Sequence, residues 1–267
     1  MKFEHAEVFN FEGALKGMRN PLESWAKSDS HLGCFAENKQ CKDCKCDPNW
    51  CGNGSTFMIG EKDLDLAQRL IKGGPPHSKF LRQIFVTIDI TAPLYWWKEM
   101  DTYKIGTTAN STSTMHKLAT TPITIDCFET DDLDLSIPVG AWATAVEKEY
   151  TPEPSYNEEP FGGYSLKELE ELKNNPLEYS VYGIINVLER LRLKYLETKD
   201  IRYWKELIRW LPESWLQTRT WTADYEVLRN IVHWRSKHKL SEWHQFVDFI
   251  KTLPYAEELI FYNNDAE

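Results

Sequence analysis

The clearest pattern in the chain is an alternation of apolar and polar positions between residues 85 and 91. Val86, Ile88 and Ile90 alternate there with more polar residues, which is the period of a β-strand with one buried face. Pro93 follows shortly afterwards and cannot donate a backbone hydrogen bond to a neighbouring strand. The pattern therefore predicts a strand that stops at this proline.

Apolar residues recur with helical spacing in several other segments. The sequence GEKDLDLAQRLIKGG, from Gly60 to Gly74, predicts a helix that ends at a pair of glycines. A longer amphipathic run is predicted from 178 to 197, with one apolar stripe formed by Val181, Ile184, Ile185, Leu188, Leu191 and Tyr195. Further helices are predicted from Ser165, which begins a capping box, and over 223–236 and 240–251. Strand and helix signals together indicate an α+β fold.

Composition and length limit the class of protein. The chain has 267 residues, which suits one domain with a substantial core. We expect a single domain over 1–267, with a Cys-rich loop at 31–57 and an acidic surface excursion at 120–163. A net charge of −10 argues against binding to polymeric nucleic acid. The sequence lacks the run of about 18 apolar residues that a membrane span needs, so we expect a cytoplasmic protein without membrane contact.

The cysteines suggest a metal site in the first of these loops. Five of the six lie close together, at Cys34, Cys41, Cys44, Cys46 and Cys51. Thiolates at such spacing suit tetrahedral zinc, and we predict that Cys41, Cys44, Cys46 and Cys51 bind one zinc ion, with Cys34 able to replace one of them. The alternative is a loop of free thiols.

A polar segment after the predicted strand has the composition of a ligand site. Lys104, Arg82 and Arg235 are cations that could meet a phosphate. Neutral donors follow Lys104 closely, at Thr107, Thr108, Asn110, Ser111 and Ser113. Tyr95, Trp96, Trp97 and Tyr103 could stack on a planar ring, although core packing is the better interpretation of the two tryptophans. The alternative for the whole segment is a helix start rich in Ser/Thr caps beside an aromatic core cluster.

The order of these features resembles the flavin-dependent thymidylate synthases. In that family a His precedes a strand, an Ala-Pro pair and an aromatic helix, and here these are His77, 84–91, Ala92-Pro93 and 94–100. The family's Arg-His-Arg-x-x-Ser motif then falls on 102–107, and the loop after it falls on 109–114. A second stretch, from Thr220 to a helix that ends in Arg235, is similar to the family's nucleotide-binding helix.

This resemblance implies a fold, a substrate and cofactors. It implies the fold of the thymidylate synthase complementing proteins, with an antiparallel sheet and long helices, assembled as a homo-oligomer, in particular a tetramer. It also implies methyl transfer to a pyrimidine deoxynucleotide such as dUMP, with hydride from FAD and with folate and NADPH as further partners. The residues implied for the substrate are Lys104, Thr107, Ser111, Ser113 and Arg235. Those implied for the cofactor are His77, Arg82, Tyr103 and Asn110. No catalytic residue is assigned.

The chain departs from the family pattern at several of these positions. Lys104 is the one cation that remains in the Arg-His-Arg segment, and Thr114 stands where the loop has an arginine. Asp224 and Glu226 replace an Asn and an Arg that contact flavin in the family, which reverses the local charge. The alternative function is therefore a nucleotide-binding or structural relative that has lost the chemistry and has a zinc-stabilised loop.

Overall fold

The computed structural model describes residues 1–34, 55–130 and 176–264. Cys41, Cys44, Cys46 and Cys51 lie outside the described residues, as do most of the acidic excursion and the helix predicted from Ser165. The chain forms two compact units. The first contains 1–91, 98–111 and the residues from 218 onward, and the second contains 92–97 and 112–217.

A four-stranded sheet organises the first unit. Its strands are β1 (Lys2–Phe9), β4 (Phe85–Pro93), β5 (Thr108–Ser111) and β6 (Leu216–Asp224), in the order β1-β4-β6-β5. β1 pairs antiparallel with β4, and β5 pairs antiparallel with β6. Val86, Ile88 and Ile90 are buried, so the strand predicted from alternation is confirmed, as are the α+β class and the antiparallel sheet.

Helices cover this sheet and bury a core rich in aromatic side chains. They are α1 (Phe11–Arg19), α2 (Glu61–Lys72), α7 (Tyr225–Arg235), α8 (Ser241–Lys251) and α9 (Ala256–Leu259). α2 begins after Gly60 and ends before Gly73, as predicted, and α7 and α8 lie within the two ranges expected near the C-terminus. In the core, the ring of Phe11 meets Tyr225 and Tyr255 edge-on, an arrangement that aromatic pairs favour.

A separate two-stranded sheet borders the Cys-rich segment. β2 (His31–Cys34) pairs antiparallel with β3 (Ser55–Met58), and Cys34 lies opposite Ser55. Cys34 and Ser55, which flank residues 35–54, are therefore held side by side.

The second unit is mainly helical. It contains α4 (Thr114–Lys117), α5 (Pro176–Thr198) and α6 (Ile201–Arg209), and α3 (Leu94–Met100) starts in it. Its core cluster consists of Leu118, Ile123, Phe128, Ile185, Leu188 and Leu207. The predicted apolar stripe on α5 is wrong at Ile184, whose side chain is 47% exposed, because the buried face of the helix follows Ile185, Leu188 and Arg192. In the described part of the chain, no helix has the length and apolarity needed to cross a membrane.

Candidate functional site

The segment from Tyr103 to Ser111 supplies the most open polar surface among the predicted site residues. Lys104 is exposed, and its ammonium group makes no ion pair with the residues that the structure describes. Asn110 and Ser111 are exposed on β5, opposite Thr220 and Arg219 of β6. The hydroxyl of Thr107 donates instead to the backbone carbonyl of Tyr103, so it stabilises the loop. Lys104 therefore remains an available cation beside neutral donors.

Gly106 brings this loop against the start of α7. It has φ +77°, and a Cβ placed there would lie 2.9 Å from Oδ2 of Asp224. Glycine is suited to both the positive φ and the close approach. The contact connects the Lys104 loop to the helix that ends in Arg235.

Arg235 is held from several sides. Its Nη1 lies 2.9 Å from Oε2 of Glu99, and its Nε donates to the hydroxyl of Tyr103 at 3.0 Å. The guanidinium carbon lies 4.6 Å from the centroid of the Trp243 ring and 5.6 Å from that of Tyr103, in cation–π range. Tyr103 and Arg235, which the sequence predicted at the same site, are thus in direct contact.

Glu99 is the acceptor at the centre of this cluster. Its Oε2 also accepts from the indole Nε1 of Trp243 at 2.9 Å and lies 3.4 Å from Nε2 of His238. Sequence reasoning missed Glu99, which is 136 residues from Arg235 along the chain. The only sequence signal is its position on the aromatic helix α3, directly before the polar segment.

Two carboxyl groups with raised pKa values lie at the start of α7. Burial raises the pKa of Asp224, although its carboxylate caps the helix by accepting from the backbone N–H of Val227 at 2.9 Å. Burial also raises the pKa of Glu226, and the positive charge of Arg82 opposes the rise in both groups. Arg82, predicted as a cofactor contact, is exposed on the 3-10 turn Lys79–Gln83. Its positive charge acts on the carboxyl groups of Asp224 and Glu226.

His77 lies in a different part of the first unit. It is exposed and lines a groove of about 1260 Å³ together with residues of α1 and α2, among them Arg19 and Lys62. None of the groove's lining residues belongs to the 103–111 segment. The structure shows no direct contact that joins His77 to the other predicted cofactor residues.

Ser113 and the two tryptophans have structural contacts in the second unit. The hydroxyl of Ser113 caps α4 by accepting from the backbone N–H of His116 at 3.2 Å. Trp96 and Trp97 are buried, and the indole of Trp97 donates to the carbonyl of Gln217 at 2.9 Å. Core packing, the preferred interpretation of the tryptophans, is confirmed.

Comparison with solved structures identifies the fold. No family model matches the chain, and no curated protein matches its sequence. The chain is similar over nearly its whole length to crystal structures of the flavin-dependent thymidylate synthases. One is the enzyme ThyX from Helicobacter pylori complexed with FAD and dUMP, with a TM-score of 0.54, 16% identity and 99% of each chain covered. Another, ThyX from the same organism with FAD and dUMP at 2.31 Å resolution, gives a TM-score of 0.54, 17% identity and 98% coverage of each chain. The chain therefore has the ThyX fold, as the sequence resemblance implied.

The residues at the start of α7 do not fit a flavin pyrophosphate. The resemblance places flavin contacts at Asp224 and Glu226, and both are carboxyl groups. Ionised carboxylates repel an anionic group, and burial raises the pKa of both carboxyl groups against the opposing charges of Arg82 and, at Glu226, of Arg229. In the described ranges, no group of three or more His, Cys, Asp or Glu side chains is arranged to hold a metal ion.

Proposed function

We propose that this chain binds a pyrimidine deoxynucleotide such as dUMP on the polar surface formed by Lys104 and β5. The observation that supports the proposal most strongly is the exposed Lys104, which has no ion-pair partner among the described residues, in a chain that shares its fold with ThyX structures containing dUMP. A lysine ammonium binds a phosphate as a point charge. Asn110 and Ser111 are exposed on β5, the strand that follows Lys104 in the chain, and their amide and hydroxyl groups can both donate and accept hydrogen bonds.

The finer proposal concerns the reaction. The resemblance implies methyl transfer to the nucleotide with hydride from flavin, and with folate and NADPH as co-substrates. Bound flavin would supply the hydride. The chain's own residues would bind the phosphate, through Lys104, and orient the sugar and base, through Asn110, Ser111 and Arg235. The acidic start of α7 is the part of this chain that opposes flavin binding.

The second candidate is a nucleotide-binding relative without flavin chemistry. Asp224 and Glu226 favour it, because a buried and a half-buried carboxyl group stand where the family resemblance expects flavin contacts. Nucleotide binding is common to both candidates, and flavin separates them.

Absorbance and calorimetry test both levels of the proposal. The purified protein is examined for the visible absorbance band of flavin and is then titrated with dUMP, dTMP, dCMP and FAD. Saturable dUMP binding supports the nucleotide site, and its absence rejects it. A flavin band or FAD binding supports the enzyme, whereas dUMP binding by a colourless protein that does not bind FAD supports the second candidate.

We propose that the Cys-rich segment holds one structural zinc through Cys41, Cys44, Cys46 and Cys51. The antiparallel pairing of Cys34 with Ser55 brings the ends of this segment together, which lowers the entropy cost of closing it around a metal. Four thiolates would close the coordination shell and leave no position for catalysis. Elemental analysis should give about one zinc per chain. Substoichiometric zinc together with freely titratable thiols would reject the site.

We also propose that the chain forms a homo-oligomer, in particular a tetramer. α5 exposes apolar side chains at Ile184, Val187 and Leu193, each close to half accessible, and association would remove such surface from water. Light scattering at micromolar concentration should give a multiple of the 31.3 kDa chain mass. A monomer mass would contradict the proposal.

A further inference from the structure

Arg235 has a counter-charge within the protein, although the sequence predicted it as a contact for an anionic substrate. The guanidinium and the carboxylate of Glu99 are both partly buried, with 18% and 34% of their side chains exposed. An ion pair in such surroundings is screened less by solvent than a surface pair. The guanidinium therefore meets any ligand with its charge largely balanced.

The contacts around Glu99 fix the pair in place. Its Oε2 accepts hydrogen bonds from Nη1 of Arg235 and from the indole of Trp243, and it also lies close to the imidazole of His238. Arg235 is further held by the hydroxyl of Tyr103 and by the faces of two aromatic rings. A phosphate that approached Arg235 would have to displace this carboxylate or lie beside it, and both arrangements cost free energy.

One edge of the guanidinium remains open. Nη2 of Arg235 has no hydrogen-bond partner among the residues that the structure describes, whereas Nε and Nη1 are both engaged. The N–H groups of Nη2 can still donate to a neutral carbonyl, because such a hydrogen bond needs a donor but no net positive charge. The arrangement suits a nucleobase oxygen better than a phosphate.

We propose that Glu99 is a specificity-determining residue that withholds Arg235 from phosphate groups. Arg235 then binds a neutral acceptor of the nucleotide, and Lys104 is left as the cation that selects the phosphate. This inference rests on the proposed nucleotide site and assigns a separate role to each of its two cations.

Glu99→Gln is the variant that tests the role of the charge. Glutamine keeps the size of the side chain, and its carbonyl can still accept from Trp243 and Arg235, while the negative charge is lost. Glu206→Gln is a matched control in the second unit, since Glu206 also accepts from an arginine, Arg209, and from the indole of Trp210.

Inorganic phosphate is the deciding probe. We expect Glu99→Gln to bind phosphate at least about tenfold more tightly than the wild type, because a freed guanidinium forms charge-assisted hydrogen bonds. Glu206→Gln should match the wild type, and adding Arg235→Ala to Glu99→Gln should abolish the gain. Glu99→Ala should show a gain in the same direction, which covers the case in which the glutamine variant does not fold.

The outcomes separate this inference from the proposed function. Equal phosphate affinity in the wild type and the Glu99 variants overturns the role of Glu99, whether or not the protein binds dUMP. A phosphate gain in a protein that fails to bind dUMP supports the role of Glu99 and rejects the nucleotide site. A purely structural Glu99 would lower the melting temperature on substitution without changing phosphate affinity.

Discussion

Two arginine–carboxylate pairs in the first unit differ in what surrounds them. Arg19 and Asp63 have side chains that are 5% and 0% exposed, and their contact measures 2.5 Å. Arg235 and Glu99 are 18% and 34% exposed, at 2.9 Å. The first pair is sealed in the core, and the second lies at a surface where a ligand can reach it.

The hydrogen bonds of the two carboxylates show the same contrast. Oδ2 of Asp63 accepts from the hydroxyls of Ser28 and Ser30, and Oδ1 accepts from Arg19. These groups satisfy the buried charge within the protein and join the α1 region to α2. The donors that meet Glu99 are also satisfied, but Nη2 of its arginine has no hydrogen-bond partner among the residues that the structure describes. A saturated, buried pair stabilises the fold, whereas a partly open pair leaves donors for a ligand.

The largest effect is expected at the sealed pair. Asp63→Asn removes the charge that balances buried Arg19, and loss of one partner of a buried pair costs about 3–5 kcal/mol of the free energy of unfolding. Denaturant unfolding measures this loss. Asp65→Asn, on the same helix, is the matched control, because the Asp65–Arg69 pair is exposed and should change stability by less than about 1 kcal/mol. Similar losses in both variants would remove the distinction between sealed and open pairs.

The sealed pair also predicts a loss of stability in acid. Burial alone would raise the pKa of Asp63, but hydrogen bonds from Ser28, Ser30 and Arg19 and the charge of Arg19 outweigh it and lower the pKa. A carboxyl group with a folded pKa below its unfolded value stabilises the protein above the unfolded pKa, near 3.9. That contribution is lost as the pH falls from this value through the folded pKa. Unfolding curves measured across this range should fall less steeply for Asp63→Asn than for the wild type.

Lys104 and Arg235 should respond in ligand binding, and Lys104→Ala should leave stability unchanged because its side chain is exposed. We expect Lys104→Ala to weaken dUMP binding by roughly tenfold to a hundredfold and to leave deoxyuridine binding unchanged, because the lost contact is to the phosphate. Arg235→Ala should weaken both ligands by a similar factor, since Arg235 meets a neutral part of the nucleotide. Calorimetric titration of the two variants with the two ligands gives these factors. Unchanged dUMP binding in both variants would contradict the assignment of either cation.

A smaller effect separates Ser111 from Ser113, both of which the resemblance assigned to the substrate. Ser113 caps α4, so Ser113→Ala should lower stability by about 0.5–1 kcal/mol without changing dUMP affinity. Ser111→Ala should weaken dUMP binding and leave stability near the wild-type value, because its side chain is exposed. Thermal unfolding and titration of both variants check this difference. A loss of dUMP affinity in Ser113→Ala would contradict this prediction and would indicate that Ser113 contacts the nucleotide.

The spacing of apolar residues was sufficient to predict some helices and strands of the fold. β4 alternates between half-buried and buried residues from Phe85 to Ala92, and α7 and α8 have apolar helical stripes. β6 was missed as a strand because its sequence, LQTRTWTAD, has few apolar residues. Its backbone is paired with β4 and β5, which are far from it in the sequence. β1 was missed because half of its sequence, KFEHAEVF, is polar and every residue in it is partly or fully exposed.

The polar segment proposed as the site stands out in the sequence, but its internal contacts do not. Lys104 and the neutral donors of the 102–113 segment stand out in the sequence because they are dense and local. The counter-charge of Arg235 comes from Glu99, and no short-range pattern indicates a partner 136 residues away. Ser111 and Ser113 have similar sequence surroundings, and only the backbone geometry shows that Ser113 is a helix cap.

The central claim is that the chain binds a pyrimidine deoxynucleotide and recognises its phosphate through Lys104. Calorimetric titration of the wild-type protein with dUMP and with deoxyuridine tests it most directly, because these ligands differ only in the phosphate. We expect dUMP to bind with one-site behaviour and at least about tenfold more tightly than deoxyuridine. Equal affinities for the two ligands, or no binding of dUMP, would contradict the claim.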